Sequence, residues 1–149
     1  MRLPATNSPI HQQFARFPAT CDGMEKFHAV LDHLLDDALV EGHPIPTSDA
    51  IALRTAIGEI VGNIVEHACT GLPDAEVSVG LARYLDRVEA TFEDQGVPFV
   101  KPEAAPLDEL PLGGFGLLVA RASLDVLDYT RVGSTNHWLL VRRFQGGRS

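Results

Sequence analysis

The chain has 149 residues, of which 45% are hydrophobic and 21% are charged. This composition is typical of one globular domain with a sizeable core and excludes a disordered chain. Asp and Glu outnumber Lys and Arg by 20 to 12, and the formal net charge is −8. Because proteins that bind phosphate backbones carry a basic surface, this balance disfavours direct binding to nucleic acid.

The first residues contain no apolar core of a secretory signal, and no apolar run approaches the roughly 18 residues of a membrane span. Cys21 and Cys69 are far apart and have no C-x-x-C spacing, so we expect two reduced thiols. These features predict a cytoplasmic protein that does not insert into membranes.

The pattern of apolar residues predicts the following elements in chain order. Residues 1–9 form a flexible leader, and 10–149 form a single domain. The domain has an edge strand over 11–19, an amphipathic helix over 22–42, and a second helix over about 49–69 with Thr47 or Ser48 as its N-cap. A hairpin over 75–84 and 87–94, a long loop, a helix over 115–125, and strands over 126–132 and 137–144 complete it. The predicted fold class is α/β (α+β), with about three helices covering a mixed, mostly antiparallel sheet.

The long loop contains four prolines within about fourteen residues: Pro98, Pro102, Pro106 and Pro111. An irregular connection of this length in a compact domain is usually a functional lid or a disordered segment. We therefore treat this loop as part of the functional question.

The second helix contains the sequence EIVGN, in which Glu59 and Asn63 lie one turn apart on one face. The carboxylate can deprotonate a hydroxyl, and the carboxamide oxygen can ligate a hard cation such as Mg²⁺, which needs only one or two protein ligands. Gly58 and Gly62 weaken a helix and suit a place where a ligand or another backbone approaches closely. The alternative is a solvated polar stripe on an amphipathic helix.

Two further motifs flank the proline-rich loop. Asp94 and Gly96 follow a strand, where the carboxylate can accept a hydrogen bond from an exocyclic amino group and the glycine leaves room beside a flat ring. The second motif opens a helix with Gly113, Gly114, Phe115, Gly116 and Leu117. Bare N–H groups at a helix N-terminus suit phosphates, although the spacing matches neither a P-loop nor a Rossmann fingerprint. Taken singly, each motif also fits an ordinary turn.

In this order, EIVGNIVEHA, DQGVPF and GGFGL resemble the N, G1 and G2 boxes of the Bergerat-fold (GHKL) ATPases, and most closely those of the anti-sigma-factor serine kinases. The resemblance implies a two-layer sandwich that binds ATP and Mg²⁺. Asn63 would hold Mg²⁺, and Glu59 would be the general base. Asp94 would accept from the adenine amino group with Gly96 beside the ring, and a lid over about 100–112 would cover the phosphates. The phosphate-binding residues would be those of the third motif: Gly113, Gly114, Phe115, Gly116 and Leu117.

The same resemblance implies the partners. They would be a STAS-type anti-anti-sigma protein, phosphorylated on a serine, a sigma factor held alternately with it, and a second copy in a homodimer. Two other functions stay open. One is an ATP- or ADP-sensing module that binds a partner without turnover, favoured by the single cation, Lys101, in the lid. The other is a catalytic domain detached from a two-component system.

A run of acidic residues and histidines on the first helix has two interpretations. His28, Asp32, His33, Asp36 and Asp37 could hold a metal. A solvated helix face is the more common origin of such a run, and it is the interpretation we adopt.

Overall fold

A computed structural model describes residues 8–99 and 114–144, with only the backbone described at 67, 68 and 114–118. The five strands are β1 (His11–Pro18), β2 (Glu76–Arg83), β3 (Arg87–Asp94), β4 (Val126–Val132) and β5 (Thr135–Arg143). The three α-helices are α1 (Cys21–Val40), α2 (Thr47–Asn63) and α3 (Gly114–Ser123), and a π-helical turn (Ile64–Ala68) continues α2. The predicted leader lies largely, and the predicted lid entirely, outside the described residues.

The strands form one sheet in the order β1-β2-β3-β5-β4, and every neighbouring pair is antiparallel. Side chains alternate along β2 and β3 between buried and more exposed positions, so one face of the sheet supplies the core. The helices supply the other side of that core. The predicted class of three helices over an antiparallel-rich sheet is thus confirmed.

Helix α1 follows its sequence pattern closely. The Thr20 hydroxyl accepts a hydrogen bond of 3.1 Å from the Gly23 amide, which caps the N-terminus. Apolar residues spaced three and four apart are buried, namely Phe27, Leu31, Leu34 and Ala38. Gly42 adopts a positive φ of 84° just beyond the helix, a conformation that glycine allows at little cost.

Three predicted boundaries were wrong in detail. Helix α2 begins at Thr47 after Pro46 and has no side-chain cap, so neither Thr47 nor Ser48 is the N-cap. Its regular part ends at Asn63, since a π-helical turn replaces the last predicted turn. Strand β5 begins at Thr135, two residues earlier than predicted, because Thr135 already pairs with Val132 across the hairpin.

A buried ion pair joins the helices to the sheet. Asp49, in the first turn of α2, is fully buried, and its Oδ1 accepts a hydrogen bond of 2.8 Å from Arg142 Nε on β5. The same guanidinium donates from Nη1 to the carbonyl of Ser123 at the end of α3. The Arg142 side chain therefore connects α2 and α3 to an interior strand of the sheet. In the described part of the chain, no helix is both long and apolar enough to cross a membrane.

Candidate functional site

Helix α2 presents its polar residues on the border of the core. Glu59 and Asn63 are half-buried, whereas the apolar residues between them, Ile60 and Val61, are buried. Neither polar side chain forms a hydrogen bond or ion pair with a residue that the structure describes. The two groups thus lie one turn apart on the helix, as the EIVGN spacing predicted, and neither has a described partner.

The glycines of this helix have unequal surroundings. A Cβ placed on Gly58 would lie 4.0 Å from Cε1 of His28, which is an ordinary contact. A Cβ placed on Gly62 would meet no described atom within 4 Å. Packing within the described fold therefore does not require glycine at 62.

The π-helical turn redirects the chain after Asn63. The Cys69 amide donates to the carbonyl of Ile64 over 3.0 Å, five residues back, and the Thr70 hydroxyl donates to the carbonyl of Glu66. This wider turn carries Cys69 beneath the end of β3, where its Sγ lies 4.0 Å from Asp94 Oδ1. π-Helical turns occur frequently at functional sites.

Asp94 ends β3 with a fully buried carboxylate. Its Oδ1 accepts hydrogen bonds from the Gly96 amide at 2.8 Å and from Asn136 Nδ2 at 2.9 Å. Its Oδ2 is buried and has no hydrogen-bond partner among the described atoms. Because a buried polar atom without a partner is costly, this oxygen is suited to a donor from a ligand.

The loop after Asp94 is held by three side chains that sequence reasoning missed. Asn136 Nδ2 lies 3.0 Å from the Val97 carbonyl, and Arg131 Nη1 donates to the Gly96 carbonyl over 2.9 Å. The Tyr129 hydroxyl donates to Asn136 Oδ1 and accepts from the Phe99 amide at 2.9 Å. These residues come from the closing hairpin, and the pairing of β3 with β5 places Asn136 opposite Asp94. A pairing between strands so distant in sequence leaves no local signal.

An aromatic cluster lies next to this loop. The rings of Phe99, Tyr129 and Trp138 have centroids 4.8–5.5 Å apart, in edge-on and tilted arrangements. Trp138, on β5, therefore packs against the segment that follows Gly96.

The third motif begins a helix, as predicted. Gly114 is the first residue of α3, which packs against α2. Gly113 lies outside the described residues, and no side chain is described for the motif's other members. The phosphate-binding roles of Gly113, Gly114, Phe115, Gly116 and Leu117 therefore stay predictions.

The first helix does not gather a metal site within the described chain. Asp32 forms an exposed ion pair with Arg54 at 2.5 Å, and no group of three or more potential His, Cys, Asp or Glu ligands occurs among the described residues. Asp32, His33 and Asp36 are exposed, so this part of the helix is a solvated polar face.

The antiparallel sheet, the three helices and the position of Asp94 at the end of β3 agree with the family resemblance of the sequence motifs. The family model described as "Histidine kinase-like ATPase domain" matches residues 17–142, and the chain belongs to this family.

Among similar proteins are the serine-protein kinases RsbW of Oceanobacillus iheyensis and of Listeria monocytogenes, each 31% identical over 83 residues. Each match covers 49% of this chain, and the chain spans about half the length of these relatives, 52% and 53%. A solved structure of the RsbU and RsbW domains of a Mycobacterium tuberculosis protein has a TM-score of 0.66 and 21% identity. That match covers 91% of this chain and 32% of the other. It supports the fold.

Proposed function

We propose that the protein is an ATP-dependent serine kinase that phosphorylates a serine of a STAS-type anti-anti-sigma partner and alternately binds a sigma factor. The observation that carries the proposal is the buried Asp94 of an ATPase-family domain, whose Oδ2 has no described partner. The similarity to proteins named serine-protein kinase RsbW supports the choice of reaction.

In this proposal Asp94 Oδ2 accepts a hydrogen bond from the adenine amino group, and Gly96 leaves space beside the ring. The residues present fit such a ligand, because the free acceptor is already desolvated and its partner oxygen is already bonded. The first residues of α3 would face the phosphates, since a helix N-terminus offers free N–H groups and a favourable dipole.

Phosphoryl transfer would rest on helix α2. Glu59 would accept the proton of the attacking serine hydroxyl, whose oxygen forms a bond to the γ-phosphorus as the bond to ADP breaks. A positioned general base contributes about 10²–10⁴-fold to the rate. Asn63 would hold Mg²⁺ through its carboxamide oxygen, a hard donor that suits this ion. When bound, Mg²⁺ neutralises charge on the phosphates.

The test has two stages, beginning with nucleotide binding. Purified protein is titrated with ATP and ADP in the presence and absence of Mg²⁺, and we expect binding in the micromolar to low millimolar range. Failure to bind either nucleotide would remove the foundation of the proposal. An Asn63→Ala variant should bind ATP with less dependence on Mg²⁺, because it lacks the proposed ligand.

The second stage measures transfer from labelled ATP to candidate STAS proteins. We expect an acid-stable phosphoserine on the partner, and we expect Glu59→Gln to keep ATP affinity while losing about 10²-fold or more in transfer rate. Undiminished transfer by this variant would exclude Glu59 as the base. A stable complex without transfer would favour the nucleotide-sensing module, and an acid-labile product would favour a detached histidine-kinase domain.

A further inference from the structure

The two oxygens of the Asp94 carboxylate have different environments. Oδ1 lies within hydrogen-bond distance of the Gly96 amide and of Asn136 Nδ2, and close to the Cys69 thiol. Oδ2 is buried without a partner among the described atoms. The carboxylate is therefore presented to a ligand through one oxygen.

The carboxamide of Asn136 is oriented by its own partners. It is 1% exposed, and its Oδ1 accepts from the Tyr129 hydroxyl and, at 2.9 Å, from Arg131 Nη1. Because two donors face this end of the group, the Nδ2 end must face Asp94. There it lies 2.9 Å from Asp94 Oδ1, and the carbonyls of Val97 and Gly96 are 3.0 and 3.3 Å away. Every neighbour of Nδ2 is thus an acceptor, which fixes the orientation.

We propose that Asn136 is a positioning residue that sets the nucleobase preference of this site by holding Asp94 Oδ1 together with the Gly96 amide. This inference rests on the proposed nucleotide-binding function. A carboxylate with two free oxygens can accept the paired donors of guanine, its ring N–H and exocyclic amino group, with one oxygen each. A carboxylate whose Oδ1 is held by Asn136 and the Gly96 amide offers one free oxygen, which matches the single amino group on the adenine edge. By orienting Asp94, Asn136 thereby disfavours guanine as well as favouring adenine.

The closing hairpin extends this control to the space beside the base. Arg131 donates to both the Gly96 carbonyl and Asn136 Oδ1, so the loop and the carboxamide share one guanidinium. Tyr129 similarly joins Asn136 to the Phe99 amide. Loosening Asn136 would therefore remove one donor from Asp94 Oδ1 and also loosen the loop whose Gly96 amide is the other donor.

The test compares Asn136→Val with Asn136→Thr, two β-branched side chains of similar shape, of which only threonine has a hydroxyl that can donate to Asp94. The dissociation constants of ATP and GTP are measured for each variant and for the wild type. We expect the ratio of the GTP to the ATP dissociation constant to fall about tenfold or more in Asn136→Val. Asp94 Oδ1 would lose one of its two donors, and the loop that carries the other would loosen, so this oxygen could accept a hydrogen bond from guanine. Asn136→Thr should recover most of the preference.

The ratio of the GTP to the ATP dissociation constant separates a positioning role from a structural one. General damage to the site would weaken the binding of both nucleotides equally and leave this ratio unchanged. An unchanged ratio in Asn136→Val would overturn the proposal. An equal fall of the ratio in Asn136→Val and Asn136→Thr would also overturn it. If Asn136→Val does not fold, Tyr129→Phe is tested in its place, because it removes one of the two donors that orient the Asn136 carboxamide. We expect the ratio of the GTP to the ATP dissociation constant to fall about threefold in this variant. An unchanged ratio in Tyr129→Phe would also overturn the proposal. Failure of the wild type to bind ATP would instead refute the proposed function.

Discussion

The position of Cys69 in the fold gives its thiol an unusually high pKa. Its thiol is buried at the end of the π-helical turn, 4.0 Å from Asp94 Oδ1. Burial, with a further contribution from the Asp94 carboxylate, raises the pKa of the Cys69 thiol from 9.0 to about 11. Cys21, by contrast, is exposed, so the two free thiols are expected to react very differently.

We expect a Cys21→Ser variant of the folded protein to resist alkylation by iodoacetamide at pH 8, because Cys69 is buried and protonated. The same variant in urea should take up one alkyl group, which serves as the control. Rapid labelling of the folded variant, measured by mass spectrometry, would contradict the assigned environment.

The raised pKa of Cys69 also has a consequence for stability. The folded chain retains this proton to higher pH than the unfolded chain, so the associated stabilisation is present below about pH 9 and is lost as pH rises toward about 11. Urea unfolding across this range should show a steeper loss for the natural chain than for Cys69→Ala.

Helix α2 contains two glycines whose low helix propensity lowers its stability. A glycine in a helix interior costs about 1 kcal/mol relative to alanine, and α2 carries two, Gly58 and Gly62. The open space around a Cβ at 62 means that the described fold gains nothing in packing from this cost. Such a cost is expected under the proposed function, in which α2 lines the nucleotide site, because binding sites often trade stability for activity.

We expect Gly62→Ala to raise the free energy of unfolding by about 0.5–1 kcal/mol, because alanine loses less conformational entropy in a helix and meets no described atom. Urea denaturation monitored by circular dichroism measures this change. A lower free energy of unfolding would mean that the added methyl group collides with the fold.

Across the whole molecule, the two layers are joined by the buried pair of Asp49 and Arg142. Their contact spans 93 positions of sequence and links the start of α2 to the last strand. Removing one member of a buried pair leaves a charge without compensation in the core. The exposed pair of Asp32 and Arg54 has similar chemistry but joins only two helices at the surface.

We expect Asp49→Ala to lower the free energy of unfolding by about 3–5 kcal/mol, because Arg142 would remain buried without its carboxylate partner. The matched control, Asp32→Ala, should cost about 1 kcal/mol or less, since its pair is half exposed. Equal losses in the two variants, measured by urea unfolding, would show that Asp49 is not a structural tie between the layers.

The sequence by itself determined the class of fold, the positions of most elements and the placement of Glu59 and Asn63 on one face of a helix, one turn apart. These features depend on periodicity and on contacts within a few residues, so a short stretch of sequence is enough to predict them. The order of the motifs also carried the family resemblance that the match over residues 17–142 confirmed.

Only the tertiary structure decided which oxygen of Asp94 is free and which residues hold the other. Asn136, Tyr129 and Arg131 reach this site because β5 pairs with β3, and Cys69 reaches it because α2 ends in a π-helical turn. Neither event leaves a pattern of period 2 or 3.6 in the chain. The physical reason is that long-range pairing and burial, rather than local propensity, determine where a polar side chain finds its partner.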